Sequence, residues 1–102
     1  LYADRLRGRA VVKAADLHRY KGKTVKAAGL LITGKVVHTK HGDPMEFLTF
    51  EDETGTLETV FFPEAYHRFC SILDKTRPFL LTGRVEEDFG AFTLTVFHAQ
   101  RC

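Results

Sequence analysis

The chain has 102 residues, 44% of them hydrophobic, and a formal net charge of +2. This length predicts a single domain, and nine phenylalanines are enough to fill one core. The small positive charge permits contact with nucleic acid without requiring it. No apolar run approaches the roughly 20 residues that a transmembrane helix needs, and no signal peptide is visible, so no membrane partner is expected.

Two further features concern the cellular compartment and the extent of the chain. Cysteines occur only at Cys70 and Cys102. Two such residues do not make a disulfide framework and fit a reducing compartment, so we expect a cytoplasmic protein. The first residue is Leu rather than Met, and we therefore expect the sequence to be a piece of a longer protein.

Residues 1–20 are predicted to connect the chain to a preceding domain. The segment is basic at its start, with Arg5, Arg7 and Arg9, and it has short helical spacing around residues 14–18. We interpret it as a linker that ends in a short helix, followed by one domain over residues 21–102. Its arginines could contact phosphate, but a solvated linker is the more common role for such charges.

Residues 24–39 form the longest candidate strand, because apolar residues recur there at every second position. Gly29 and Gly34 lie inside it, where glycine usually marks a bulge or a sharp bend. A long first strand that bends in this way is what a small closed barrel requires, since one strand must pair in both halves. A polar loop follows over residues 38–44, with Gly42 and Pro44 as breakers.

A hairpin is predicted at the centre of the chain. Phe47–Phe50 and Leu57–Phe62 are rich in strand-forming residues, and the turn Glu51–Gly55 between them contains a glycine that can adopt positive φ. Side chains of a strand alternate between its two faces. The predicted inward residues are Leu48, Phe50 and Leu57, and the predicted outward residues are Phe47, Thr49, Glu58 and Val60. An outward Phe in mid-ribbon is a candidate platform for a nucleobase.

The last third of the chain predicts one helix and two strands. Residues 63–75 have apolar side chains at helical spacing, and Pro63 suits the first turn. Residues 79–86 and 92–98 alternate as strands do, and residues 87–91 make the loop between them. The predicted order is therefore three strands, one helix and two strands.

This order is typical of the OB-fold, a five-stranded Greek-key barrel with a helix between strands 3 and 4. The predicted fold class is therefore all-β, with a short additional helix at the N-terminus. On strand count alone, an up-and-down barrel and a split sandwich stay open as alternatives.

Several strings of the sequence resemble one family. They are AGL at residues 28–30, GDPM at residues 42–45, FLTFEDETG at residues 47–55, VFFPEAY at residues 60–66 and RPFLLTGRVEE at residues 77–87. Together they closely resemble the OB domain of the bacterial C-family replicative polymerases, the alpha subunit of DNA polymerase III. The hairpin string is also similar to the anticodon-binding OB domains of class II aminoacyl-tRNA synthetases.

The resemblance implies a function for the chain. Such a domain is expected to bind single-stranded DNA, holding the template strand near the polymerase site of its parent enzyme. No catalysis is implied for this chain, because the carboxylates that hold Mg²⁺ would lie in another domain of a DNA-directed DNA polymerase. Neighbouring domains of the parent and other replisome proteins are further expected partners, because some OB domains of this family serve as spacers or contacts.

OB barrels bind single strands over strands 2 and 3, with the loops after strands 1 and 4 closing on the ligand. By resemblance, Phe47 matches the outward Phe on which synthetase OB domains stack a base, whereas ordinary packing is the alternative role for it. Basic residues of the first loop and the strands are candidates for phosphate contact. The full predicted contact set is Phe47, Thr49, Lys26, Lys35, His38, Lys40, His41, Arg84 and Phe89.

Glu58 argues against tight binding. The synthetase relatives have a base-reading Gln at this position, and a carboxylate on the ligand face repels phosphate. Glu46 and Glu51 add to the negative charge. We therefore expect weak, salt-sensitive affinity for DNA. Two alternative functions stay open. One is a structural or protein-interaction module, and the other is a tRNA-binding domain.

The sequence contains no pattern that predicts a catalytic or metal site. His38 and His41 have the spacing of metal ligands, but no Cys or carboxylate pair completes a site, and a loop His is the more common role. Glu51, Asp52 and Glu53 are interpreted as a solubilising tip of a tight turn. No phosphate-cradling glycine motif and no nucleophile elbow is present, so no cofactor is expected for this chain.

Overall fold

The computed structural model describes residues 11–102, and most of them lie in five strands. The strands are β1 Thr24–His38, β2 Pro44–Asp52, β3 Gly55–Phe61, β4 Pro78–Asp88 and β5 Ala91–Arg101. One α-helix, α1 (Pro63–Phe69), lies between β3 and β4, and a 3-10 helix covers Ala14–Tyr20. The predicted order of elements is confirmed, including the short N-terminal helix.

The strands close into a barrel in the order β1-β2-β3-β5-β4. Closure depends on β1, which pairs with β4 through residues 24–30 and with β2 through residues 30–38. A short parallel pairing of β3 with β5, Thr59 with Leu94 and Val60 with Thr95, completes the ring. This is the OB-fold that the sequence predicts, and the up-and-down barrel and the split sandwich are thereby excluded.

β1 bends near the point where it changes partner. Its pairing with β2 shifts register between Leu31 and Thr33. Gly29 lies just before this shift, and a Cβ there would be 2.8 Å from the carbonyl oxygen of Glu51. The close approach of the two backbones explains why this position has no side chain.

The core consists of alternate residues of every strand. Its side chains include Phe50, Phe61, Phe79, Leu81, Val85 and Leu94, each with 0% exposure. Burying one side chain of this size stabilises the fold by about 1.5–3 kcal/mol. The predicted inward residues Leu48, Phe50 and Leu57 all belong to this core. Val12 and Leu17 of the N-terminal segment also belong to it, so residues 11–20 pack on the barrel.

The helix after β3 is shorter than the sequence predicts. It ends at Phe69 rather than residue 75, and a 3-10 turn follows at Cys70–Ile72. Asp74 then accepts hydrogen bonds from the amide and the hydroxyl of Thr76, at 2.9 and 2.7 Å. Such a local side-chain turn competes with helix, and it prevents the apolar spacing from continuing as one.

The acidic turn between β2 and β3 holds the N-terminal segment, which corrects its interpretation as a solubilising tip. The Ala14 amide donates to Asp52 Oδ2 at 2.7 Å, and the Ala15 amide donates to Thr54 Oγ1 at 3.0 Å. Lys13 forms an ion pair with Glu53. The turn therefore supplies acceptors to the free amides at the start of the 3-10 helix. The predicted boundary at residue 20 stays a prediction, and Arg5, Arg7 and Arg9 lie outside the described residues.

Candidate nucleic-acid interface

One row of outward side chains crosses all five strands of the barrel. In the pairing register, Lys35 of β1 lies opposite Phe47, and Phe47 lies opposite Val60 of β3. Val60 is next to Thr95 of β5, which lies opposite Arg84 of β4. We name these five residues the outer row. The row brings an aromatic side chain and two cations to the same level of the barrel.

Phe47 is the aromatic group of the outer row. Its side chain is 45% exposed although it lies in the middle of β2. Val60, directly opposite, is outside the core cluster and yet only 7% exposed. Side chains on the outer face therefore cover Val60, as expected for an aromatic–β-branched cross-strand pair. Phe47 thus presents a ring to the exterior on an apolar support.

A carboxylate lies beside this ring. Thr49 is opposite Glu58, one level from Phe47 and Val60 on the same face. The Thr49 hydroxyl donates a hydrogen bond to Glu58 Oε1 at 2.7 Å. Thr49 is therefore on the predicted face, but its hydroxyl already has a partner. The exposed Glu58 carboxylate keeps a negative charge next to the aromatic platform.

The loop after β1 is organised by Thr39. The hydroxyl of Thr39 accepts hydrogen bonds from the amides of His41 and Asp43, at 3.3 and 3.2 Å. Gly42 has a φ of 85°, which allows the chain to turn. Lys40 and His41 are exposed at the tip of this loop, and His38 is exposed at its start. The predicted basic loop thus lies at the end of the same two strands that hold Lys35 and Phe47.

The cations of this region are free to meet a phosphate. Within residues 11–102, neither Lys35 nor Lys40 has a carboxylate within ion-pair distance. Glu46, at the base of the same two strands, has a pKa above its usual value because burial disfavours its charged form. Among the described residues, the loop end of the ribbon therefore has two lysines without an ion-pair partner and a partly buried carboxyl group whose charged form is disfavoured.

The remaining predicted residues are dispersed over the barrel. Arg84 is three strands from Phe47 in the outer row, or about 14 Å at the usual strand spacing. Its Nε lies 3.7 Å from Oε2 of Glu86, with which it forms an ion pair. Lys26 is on the half of β1 that pairs with β4, nine residues before Lys35, and is not brought near Phe47. Phe89 is fully exposed at the β4–β5 turn with a φ of 52°. All nine predicted contacts stay predictions.

Two exposed phenylalanines were not among the predicted contacts. Phe62 precedes α1 and is 49% exposed, and Phe97 of β5 is 51% exposed. The alternation of residues 92–98 contained the signal for Phe97, because it places Phe97 on the face opposite to the buried Leu94 and Val96.

Residues 11–102 contain neither a cluster of metal ligands nor a candidate membrane-spanning helix. In the described part of the chain, no three side chains of His, Cys, Asp or Glu converge as a metal site requires. No helix among residues 11–102 has the length and apolar character to cross a bilayer. Neither finding adds a function to the outer row.

The sequence and fold were compared with known proteins. Residues 30–100 match the family described as the OB-fold nucleic acid binding domain. The chain belongs to this family. This OB domain is 33% identical over 78 residues to DNA polymerase III subunit alpha of Escherichia coli strain K12. It is 34% identical over 80 residues to the error-prone DNA polymerase of Symbiobacterium thermophilum.

The relatives are much longer than this OB domain. The two matches cover 76% of the chain but only 7% of each relative. The resemblance to the alpha subunit of DNA polymerase III, stated from the sequence strings, is confirmed over that range. The chain therefore corresponds to a small part of the relatives' length.

Solved structures share the fold. A domain of replication protein A from Methanococcus maripaludis has a TM-score of 0.71 at 15% identity, with 89% of this chain and 93% of that chain covered. A putative aspartyl-tRNA synthetase from Leishmania major has a TM-score of 0.72 at 13% identity, with 93% and 21% covered. At such identities, the likeness shows the OB-fold and nothing about the ligand.

Proposed function

We propose that this OB domain is a single-stranded DNA-binding module of a bacterial replicative DNA polymerase and holds the template strand near the polymerase site. The identity to DNA polymerase III subunit alpha supports the choice of parent protein. The parent's polymerase activity and its work in the cytoplasm are part of the proposal, because the chain spans 7% of that relative. No catalytic role is proposed for the OB domain itself.

The observation that carries the proposal is the exposed ring of Phe47 beside Lys35. A base can stack on an outward aromatic side chain in any sequence, and each such contact is worth about 1–3 kcal/mol. Lys35 lies opposite Phe47 on β1 and has no ion-pair partner within residues 11–102. It can neutralise a phosphate of the same strand and release counterions. Glu58 opposes this attraction, so the proposed affinity is weak and falls with salt.

A specific observation favours a second function, the protein-interaction module. Leu30 and Ile32 of β1 are 43% and 42% exposed. Leu30 lines a cavity of about 460 Å³ together with Gly29, Pro78 and the acidic residues 51–53. Exposed apolar side chains with an acidic rim suit a protein surface better than a phosphate backbone. Neighbouring domains of the parent or other replisome proteins are the proposed occupants.

Fluorescence anisotropy separates these functions. The chain is titrated into labelled oligo-dT and into a labelled RNA stem-loop, each in low and in high salt. The proposal expects binding to oligo-dT in low salt that weakens in high salt, with no preference for the RNA. A preference for the RNA supports the tRNA-binding alternative, and no binding of either ligand in low salt leaves the interaction module.

A further inference from the structure

Three half-exposed phenylalanines lie near one another on the outer face of the barrel. Phe62 follows Val60 by two residues, and Phe97 follows Thr95 by two residues. Because Val60 and Thr95 are neighbours in the parallel pairing of β3 with β5, Phe62 and Phe97 leave these strands at the same level and on the same face. Phe47 lies on the other side of Val60. The aromatic surface therefore continues from β2 across β3 to β5.

Phe62 and Phe97 form the walls of a groove between α1 and β5. The cavity has a volume of about 260 Å³. Its lining residues are Phe62, Glu64, Ala65, Arg68, Thr95, Val96 and Phe97. We name it the Phe62–Phe97 groove. Its size is slightly below the range of sites for drug-sized ligands, which suits one planar group better than a large ligand.

A β-bulge lies beside Phe97 in the pairing of β4 with β5. Gly83 of β4 pairs with Val96, and the preceding Thr82 pairs with His98, so Phe97 is left without a partner on β4. Bulges often lie beside binding sites. Phe97 faces outward by strand alternation and is 51% exposed, while Val96 at 2% stays in the core.

The charge of the groove suits an anion attached to a planar group. Arg68 lies on its rim, with Cζ 5.4 Å from the centre of the Phe69 ring. Among the described residues Arg68 has no ion-pair partner. The planar guanidinium of arginine matches the geometry of a phosphate. Glu64 is also on the rim, so the groove has one cation and one carboxylate.

We infer that the Phe62–Phe97 groove is a second nucleotide subsite, in which one unpaired base stacks against the phenylalanines while Arg68 contacts a phosphate. The inference rests on the proposed function and extends its ligand from β2, across Val60 and Thr95, to β5. Continuity with the outer row favours a nucleotide of the same strand as the occupant. An aromatic side chain of a protein partner is the competing occupant.

The first experiment measures binding against oligonucleotide length. Anisotropy with an oligo-dT series compares the wild type with Phe47→Ala and Phe97→Ala. We expect Phe47→Ala to weaken binding at every length. Phe97→Ala is expected to weaken only the longer oligonucleotides, by about tenfold, since a short strand fills only the Phe47 site. Because Phe97 is half exposed, thermal unfolding is expected to change little, and this serves as the folding control.

The outcomes distinguish the two proposals. If Phe97→Ala binds oligonucleotides of every length as the wild type does, while Phe47→Ala binds them more weakly, the groove is not on the path of the DNA strand. The proposed function survives that outcome. If the wild type binds no oligonucleotide in low salt, both proposals are overturned. Arg68→Gln is expected to remove one phosphate contact and therefore to reduce the slope of log affinity against log salt by about one. Lys75→Gln is the charge-matched control.

A second experiment reports on the groove directly. The sequence contains no Trp, so Phe97→Trp introduces a single fluorophore with the ring character retained. Titration with long oligo-dT is expected to quench its fluorescence. Leu30→Trp, on a 43%-exposed position away from the groove, is the control and is expected to stay unquenched. Unchanged Phe97→Trp fluorescence under conditions in which anisotropy shows full binding overturns the subsite and leaves a protein side chain as the occupant.

Discussion

Phe47 and Glu58 place an attractive and a repulsive group for nucleic acid side by side. Phe47 faces outward opposite Val60, and Glu58 faces outward one level away, where it accepts a hydrogen bond from Thr49 at 2.7 Å. Stacking on the ring does not depend on charge, whereas the carboxylate repels every phosphate that approaches it. The two contributions can therefore be separated by single substitutions.

Phe47→Ala is expected to weaken oligo-dT binding by about tenfold, because it removes the stacking platform in the middle of the face. Anisotropy in low salt measures this loss. Phe89→Ala is the matched comparison and is expected to lose less. Phe89 is fully exposed at a hairpin tip, so its ring has no apolar support. An unchanged affinity for Phe47→Ala removes the stacking proposal.

Glu58→Gln is expected to strengthen oligo-dT binding several-fold in low salt, with a smaller gain in high salt because salt screens the repulsion. The amide oxygen can still accept the hydrogen bond from Thr49, so the face keeps its geometry. Asp16→Asn is the control, since it changes the net charge equally but lies on the N-terminal 3-10 helix. Equal gains for both variants would show that net charge alone, not the position of Glu58, controls affinity.

At the scale of the elements, the bulge between β4 and β5 depends on one glycine. A Cβ at Gly83 would lie 2.3 Å from the carbonyl oxygen of Thr95 and 2.9 Å from Leu94 Cγ. Neither the strand backbone nor a fully buried Leu94 can move away without loss of pairing or packing. The same bulge leaves Phe97 without a partner on β4, so the strand pairing beside the Phe62–Phe97 groove depends on Gly83.

Gly83→Ala is therefore expected to lower the free energy of unfolding by about 3 kcal/mol, as measured by urea denaturation. Gly34→Ala is the comparison. A Cβ there would also meet an atom at 2.3 Å, but that atom is Cδ2 at the end of the Leu48 side chain rather than a backbone oxygen. We expect a smaller loss, because a side chain can turn aside. Equal losses at the two positions would contradict the importance of the backbone contact at Gly83.

At the scale of the whole molecule, Asp52 joins the N-terminal segment to the barrel. Burial raises its pKa, but hydrogen bonds from the Thr54 hydroxyl and from the amides of Ala14, Thr54 and Gly55 outweigh burial and leave the pKa below its usual value. A carboxyl group with a lowered pKa stabilises the fold above the pKa of the unfolded chain, near pH 4. That contribution is lost as the pH falls through the lower pKa of the folded protein.

Asp52→Asn is expected to lower the Tm at pH 7 and to reduce the decline in Tm between about pH 5 and pH 3. Circular dichroism melts over this range measure both effects. Asp43→Asn is the control, because the carboxylate of Asp43 accepts no hydrogen bond among residues 11–102. A parallel decline for Asp52→Asn and the wild type would contradict the proposed linkage.

The barrel as a whole separates two surfaces of different character. The Lys40 loop lies at one end of the β1–β2 ribbon, Phe47 lies near its middle, and Leu30 and the acidic turn lie toward the other end. The proposed nucleic-acid surface and the proposed protein surface are therefore on different parts of the ribbon. It also explains why a net charge of only +2 is compatible with a local basic loop.

Sequence alone determined the order of the strands, the place of the helix and the inward or outward direction of residues such as Phe47 and Phe50. These properties depend on residues that are close together in the chain. Side chains of a strand alternate between its two faces with period two, and a glycine within a strand permits a bend. The predicted contact residues of the β1–β2 ribbon, Lys35, Phe47 and Thr49, come together for the same reason, since a hairpin fixes its own register.

Only the tertiary structure decided which distant surfaces meet. Asp52 binds the amide of Ala14 across 38 residues of sequence, and the pairing of β3 with β5 brings Phe62 beside Phe97. The pairing likewise assigns Lys26 to the half of β1 beside β4 and Lys35 to the half beside β2. Such proximities arise from pairings between remote segments, and no local pattern of residues encodes the register at which those segments join.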